Sequence, residues 1–251
     1  MDTEKFHWCL RAGDNTLVLS QRLSEWCGKG PALEEDMALT NIALDLLGQS
    51  TLWLSYAATC EGKERDEDDL AFLRDAHEFR NLLLVEQPNG DYGDTLVRQL
   101  YFDVWHVLWL SSLLNSSDKD IAHIAEKSLK EVTYHLRRSS DLVVRLGDGS
   151  DESHQRMQRS VDELWMYSGE CFIDDELDNV IAARNIAPLP TSLKEEWLAT
   201  IQKIFSEATL RMPSSDAWMQ QGGKQGRHTE HLGYLLAEMQ FLQRAYPGAA
   251  W

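Results

Sequence analysis

The chain has 251 residues, 43% of them hydrophobic and 26% charged, with a formal net charge of −17 at pH 7. That length can bury a sizeable core, while so acidic a surface repels nucleic-acid phosphate and anionic lipid and argues against both as partners. No apolar run approaches the ~20 residues of a membrane span, and Met1-Asp2-Thr3-Glu4-Lys5 lacks the apolar core of a signal peptide, so a cytoplasmic location is expected.

Its 36 leucines stand against 18 valines and isoleucines together. Strands favour β-branched residues, so the ratio points to an all-α chain. A helical pattern runs from about Phe6 to Trp26, weakened at Gly13, and stops at Gly28-Lys29-Gly30-Pro31. There the glycines suit a C-cap and the proline suits a helix start. A longer pattern follows from Leu33 to about Cys60, then a break from Glu61 to Asp69 with six acidic residues and no apolar one. Residues 70–85 read as helical, and Gln87-Pro88-Asn89-Gly90 reads as a turn. The spacing predicts two more strong helices, from about Asp94 to Leu114 and from about Asp120 to Leu146.

The first two of these strong helices are joined by a short turn, the third and fourth by another, and about thirty residues separate the pairs. Short, long, short is the connectivity of a ferritin-like four-helix bundle with one long crossover. Further helices are expected over 151–172, 174–184, from a capping box at Ser192-Leu193-Lys194-Glu195 to about Leu210, and over 229–246. No linker is long enough to divide the chain. It reads as one ferritin-like domain, with a core bundle over about 6–147 and accessory helices over about 151–246. Cys9, Cys27, Cys60 and Cys171 form no Cys-x-x-Cys pair and read as small buried apolar residues in a reducing compartment.

Di-iron carboxylate bundles use Glu-x-x-His on each of two helices and a carboxylate from each of the others. The i, i+3 spacing puts both ligands on one helix face. Lys130-Glu131-Val132-Thr133-Tyr134-His135 comes close to that signature but puts Tyr134 three residues after Glu131 and the histidine one place later. On the second helix Asp45 is followed at that spacing by Gly48, beside Asn41 and Gln49. Only Asp103-Val104-Trp105-His106 has the spacing, on a helix that usually supplies a lone carboxylate. The group Asp45, Asp103, His106, Glu131, Tyr134 and His135 therefore reads either as a degenerate di-iron site kept as a buried hydrogen-bonded network, or as a ligand set in its own right.

Outside the bundle, Gly222-Gly223-Lys224-Gln225-Gly226-Arg227 precedes His228-Thr229-Glu230-His231 at a helix start. A glycine-rich basic loop there can bind an anion or dock a partner, which singles out Lys224, Arg227 and His228 as possible contacts. The loop lacks Walker spacing, and no Gly-x-Ser-x-Gly marks a nucleophile.

Several long stretches carry a resemblance. Gly13-Asp14-Asn15, Leu17 through Leu23, Glu25-Trp26-Cys27-Gly28, Asn41 through Gln49, Asn81 through Gly90, Asp103 through Val107, Tyr134-His135-Leu136-Arg137, Gly222-Gly223-Lys224, His228 through Gly233 and Trp251 are similar to the family of phenylacetyl-CoA epoxidase C subunits. The likeness spans the whole chain. It implies a bacterial multicomponent monooxygenase of phenylacetate catabolism, in which a di-iron A subunit epoxidises the ring and a B subunit and a reductase complete the system. The C subunit is implied to be a ferritin-like, non-catalytic support for the A subunit, with no cofactor of its own. The competing expectation is a self-sufficient di-iron oxygenase or oxidase using Asp45, Asp103, His106, Glu131 and His135.

Overall fold

The computed structural model describes residues 1–214 and 216–249. Trp251, one of the residues that carry the resemblance, lies outside them. The fold is all-α, and the described residues contain no strand. Four long helices dominate: α1 (Thr3–Ser24), α2 (Leu33–Glu61), α5 (Tyr92–Leu113) and α6 (Lys119–Gly147). Residues 25–32 join α1 to α2 and residues 114–118 join α5 to α6, while 62–91 form the long connection between the pairs, so the connectivity is ferritin-like. Acidic side chains set many of the helix starts. Asp2, Asp66, Asp91, Asp118 and Asp175 each accept a hydrogen bond from a backbone N–H of the first turn, which satisfies donors that would otherwise be orphaned and places negative charge at the positive end of the helix dipole.

The chain forms two compact units, Met1–Pro88 with Gly222–Trp251, and Asn89–Gln221. In the first, α1 and α2 run antiparallel. The Asp2 N–H donates to the Cys60 carbonyl at 2.8 Å and the Ser50 hydroxyl to the Gly13 carbonyl at 3.1 Å. A Cβ at Gly13 would come within 2.6 Å of Leu54, so the residue that weakens the helical pattern is the one that lets α2 close on α1. Leu17, Leu19, Leu23, Leu39, Leu46, Trp53 and Phe79 are fully enclosed or nearly so. In the second unit α5 and α6 pair and α7 (Asp151–Leu164), α8 (Glu176–Ala183) and α9 (Lys194–Glu207) follow. Tyr101 is its hub: its hydroxyl donates to the Val161 carbonyl at 3.2 Å, and its own carbonyl accepts from the Trp197 indole at 3.0 Å.

Five local expectations change. The helix expected over 151–172 ends at Leu164 and continues as two 3-10 turns at 165–167 and 169–172. The helix expected over 70–85 is broken into α3 (Glu67–Phe72), a short 3-10 turn at 76–78 and α4 (Leu83–Glu86). The cause is tertiary: Asp14 takes the Arg80 N–H at 2.8 Å and Asn15 takes the Leu82 N–H at 2.8 Å, so both donors are satisfied by side chains of α1 in place of helical carbonyls. Ser192 makes no capping box. Pro190 opens a 3-10 turn in which the Ser192 hydroxyl donates to the Leu189 carbonyl at 2.6 Å, and α9 begins at Lys194 without a side-chain cap. The last helix divides into α10 (Glu230–Met239) and α11 (Phe241–Ala245), with Gln240 between them donating to the Ala71 and Arg74 carbonyls at 3.0 and 2.9 Å. Finally, Cys27 is exposed, because it falls in the turn after α1 rather than within a helix.

Candidate functional site

Helix geometry decides which of the candidate residues turn inward. On α6 the buried line runs through Ser128, Val132, His135, Ser139 and Val143, a spacing of three and four that keeps one face. Consecutive helical residues lie about 100° apart, so with His135 inward Tyr134 must turn out. Its side chain is 46% exposed, and Arg137 lies over its ring at 5.5 Å. Tyr134 therefore leaves the proposed cluster. Glu131 sits half-buried at the edge of the inward line. On α2, Asp45 is half-buried and Asn41 exposed; Gly48 is exposed too, and a Cβ there would meet nothing within 4 Å.

Within the second unit, Asp103 and His106 on α5 and His135 on α6 are all buried. Both Asp103 oxygens are engaged: Gln99 Nε2 donates to Oδ1 at 2.6 Å and Ser139 Oγ to Oδ2 at 2.8 Å. Burial pushes the Asp103 carboxyl up to about 6, against the opposing pull of His135, Ser139, Gln99 and Arg138. Burial, followed by the neighbouring His135, drives His106 down to about 3, so its ring is neutral at physiological pH. That ring lies among Phe102, Trp105 and Trp109, with centroids 4.9 to 6.0 Å away, and its Nδ1 has no hydrogen-bond partner among the described residues. A di-iron centre does not fit these residues. It needs carboxylate oxygens free to bind metal and a histidine at i+3 on two helices. Here the buried carboxylate is occupied by Gln99 and Ser139, and the i+3 position after Glu131 faces outward.

A second buried network, absent from the sequence expectations, lies in the first unit. Asp14 and Arg74, both almost wholly enclosed, form a salt bridge, and the Arg74 guanidinium stacks over the Phe79 ring at 4.3 Å. Beside it, the fully buried Glu86 carboxylate accepts from Asn81 Nδ2 at 3.0 Å, from His228 Nδ1 at 2.8 Å and from the Thr229 N–H at 2.6 Å. The Glu86 carbonyl in turn accepts from Arg22 Nε and Nη2 at 3.1 and 2.9 Å. Asp14 and Asn15 lie on the buried part of α1 between Gly13 and Leu17, and no motif spacing marked them in the sequence.

The glycine-rich loop serves that network. A Cβ at Gly223 would stand 2.1 Å from the Asn81 carbonyl oxygen, and one at Gly226 would stand 2.3 Å from that of His77. Gly226 also adopts a left-handed φ of +77°. The glycines are there for close backbone packing against residues 77–83. Lys224 is buried and His228 is committed to Glu86, so of the three residues singled out as contacts only Arg227 is exposed.

The described residues contain no group of three or more His, Cys, Asp or Glu side chains able to hold a metal ion. They contain no helix long and apolar enough to cross a membrane. The two helix pairs and the long connection between them define an all-α chain of ferritin-like connectivity. The chain belongs to the phenylacetic acid catabolic protein family, which it matches over residues 1–251. It is 52% identical over 244 residues, 97% of this chain and 98% of the relative, to the C subunit of 1,2-phenylacetyl-CoA epoxidase from Escherichia coli strain K12.

Proposed function

We propose that this chain is a non-catalytic, structural subunit of a multicomponent 1,2-phenylacetyl-CoA epoxidase, acting in aerobic phenylacetate degradation in the cytoplasm. The observation that carries the reading is the 52% identity to an epoxidase C subunit across nearly the full length of both chains. The site chemistry supports it, because the Asp103 oxygens are taken up by Gln99 and Ser139, and Tyr134 turns outward. In this reading the di-iron centre belongs to a partner A subunit, and a B subunit and a reductase complete the system. This chain contributes folded surface and no redox group. The single ferritin-like domain belongs to the same proposal and calls for one cooperative unfolding transition.

The test of the site is metal content and turnover in the isolated chain. Expressed in iron-replete medium, it should purify without stoichiometric iron. Supplied with reductase, reduced nicotinamide cofactor, oxygen and phenylacetyl-CoA, it should turn over nothing. About two irons per chain, the complement of a di-iron bundle, would favour the self-sufficient oxygenase.

A further inference from the structure

Two of the four cysteines face each other across the α1–α2 pair. Cys9 is fully buried on α1 and Cys60, 8% exposed, stands near the end of α2; both are free thiols. The antiparallel pair sets the start of α1 against the end of α2: the Asp2 N–H is bonded to the Cys60 carbonyl at 2.8 Å, and Lys5 Nζ donates to the Tyr56 hydroxyl at 3.2 Å. Cys9 and Cys60 share a side-chain hydrogen bond, and the Tyr56 hydroxyl also bonds to the Cys60 sulfur.

We propose that Cys9 and Cys60 form an oxidant-sensitive dithiol that closes to a disulfide stapling the start of α1 to the end of α2, with hydrogen peroxide as the oxidant. The surroundings favour Cys60 as the sulfur oxidised first. The hydrogen bond from Cys9 leads the influences that lower its pKa; burial opposes them, Lys5 and Tyr56 add to the lowering, and Asp2 works against it. The thiolate is the nucleophile, and Cys60 is the less deeply enclosed of the pair.

The steps balance. The Cys60 sulfur attacks one peroxide oxygen, the O–O bond breaks, and Cys60 becomes a sulfenic acid as water leaves. The Cys9 sulfur then attacks the Cys60 sulfur, the S–O bond breaks, its oxygen leaves as a second water with the thiol proton, and the S–S bond forms. Two thiols lose two electrons and one peroxide gains them. The proposal stands whether or not the chain serves an epoxidase, since it rests only on the α1–α2 pair.

The test treats the full chain with a small molar excess of hydrogen peroxide, alkylates remaining thiols after unfolding, and maps tryptic peptides without reduction. Cys9 falls in Phe6–Arg11, Cys60 in Gly30–Lys63 and Cys27 in Leu23–Lys29. The expected result is a linked pair of Phe6–Arg11 with Gly30–Lys63, lost on treatment with dithiothreitol, while Leu23–Lys29 is recovered alkylated or singly oxidised. Cys9→Ser should leave Cys60 as a sulfenic acid trapped by dimedone, and Cys60→Ser should leave Cys9 unmodified. In the unmutated chain, which needs no variant to fold, three results would overturn the proposal. These are recovery of both peptides fully alkylated, Cys60 over-oxidised to the sulfinic acid with Cys9 still free, or a link from either to Leu23–Lys29.

Discussion

His228 Nδ1 lies 2.8 Å from a carboxylate oxygen of Glu86, while its Nε2 lies 3.0 Å from the Phe79 carbonyl. Both ring nitrogens face acceptors, so the imidazolium, with a proton on each, is the form that satisfies the site. Burial works against that charge, but the hydrogen bond and charge of Glu86, the Phe79 carbonyl and Asp14 outweigh it and raise the histidine above its ordinary range. This ion pair ties the segment after Gly222 to residues 79–86.

The pair makes stability depend on pH with a definite sign. A group whose folded pKa is raised contributes fully below its unfolded value, near 6.5 for histidine, and loses that contribution as pH rises through the folded value. Urea midpoints measured from pH 6 upward should therefore fall through the folded pKa of His228. His228→Gln should flatten that limb. His228→Ala should cost on the order of 3–5 kcal/mol at pH 6, since it strands the buried Glu86 carboxylate.

Asp103 and His106 act in opposite directions over the acid range. Asp103 is raised to about 6, so the folded state takes up a proton before the unfolded state does, and this group adds stability as pH falls from above 6 towards 4. His106 is lowered to about 3, so its contribution is present above 6.5 and is lost as pH falls. Asp103→Asn should remove the first limb and make the loss of stability on acidification below pH 6 steeper. Chemical denaturation of both proteins between pH 7 and pH 4 reads the difference, and identical profiles would show that the Asp103 carboxyl has an ordinary affinity for protons.

Two glycines should respond oppositely to alanine. At Gly223 the added Cβ meets the Asn81 carbonyl at 2.1 Å, so Gly223→Ala should dislodge the loop and lower the thermal midpoint. At Gly48 the Cβ meets nothing within 4 Å, and the residue lies inside α2. Gly48→Ala should then stabilise the isolated chain by up to about 1 kcal/mol, the helix-propensity difference. Differential scanning calorimetry on the two variants checks both signs.

Charge reversals separate the loop's exposed cation from its buried one. Arg227→Glu changes an exposed side chain and should leave stability within about 0.5 kcal/mol of the parent. Lys224→Glu reverses a buried charge and should destabilise the chain by several times that amount. If the loop meets a partner's acidic surface, Arg227→Glu should also weaken the association measured by calorimetric titration without altering the circular dichroism spectrum.

Where local pattern determines the outcome, the sequence is readable. The helix expected from Leu33 to Cys60 is α2 at Leu33–Glu61, because its apolar periodicity runs unbroken between a glycine-proline turn and a C-capping glycine, Gly62. Asp103 and His106 are recognisable from their i, i+3 spacing and are both buried. A ligand template counted along the chain misplaces position 134, because the buried line of α6 passes through His135 and carries Tyr134 outward. The Asp14–Arg74 and Glu86–His228 pairs join residues 60 and 142 positions apart. No local pattern records such pairings, nor the burial of Lys224 in a loop that reads as basic and accessible.

The central claim is that this chain supports epoxidation by a partner without performing chemistry itself. The most direct measurement is oxygen-dependent epoxidation of phenylacetyl-CoA by an A subunit, a B subunit and a reductase, assayed with this chain present and with it omitted. The account predicts activity only when the chain is present, and an A subunit that is poorly soluble or inactive without it, as for a subunit that draws stability from association. Full epoxidation with the chain left out would contradict it.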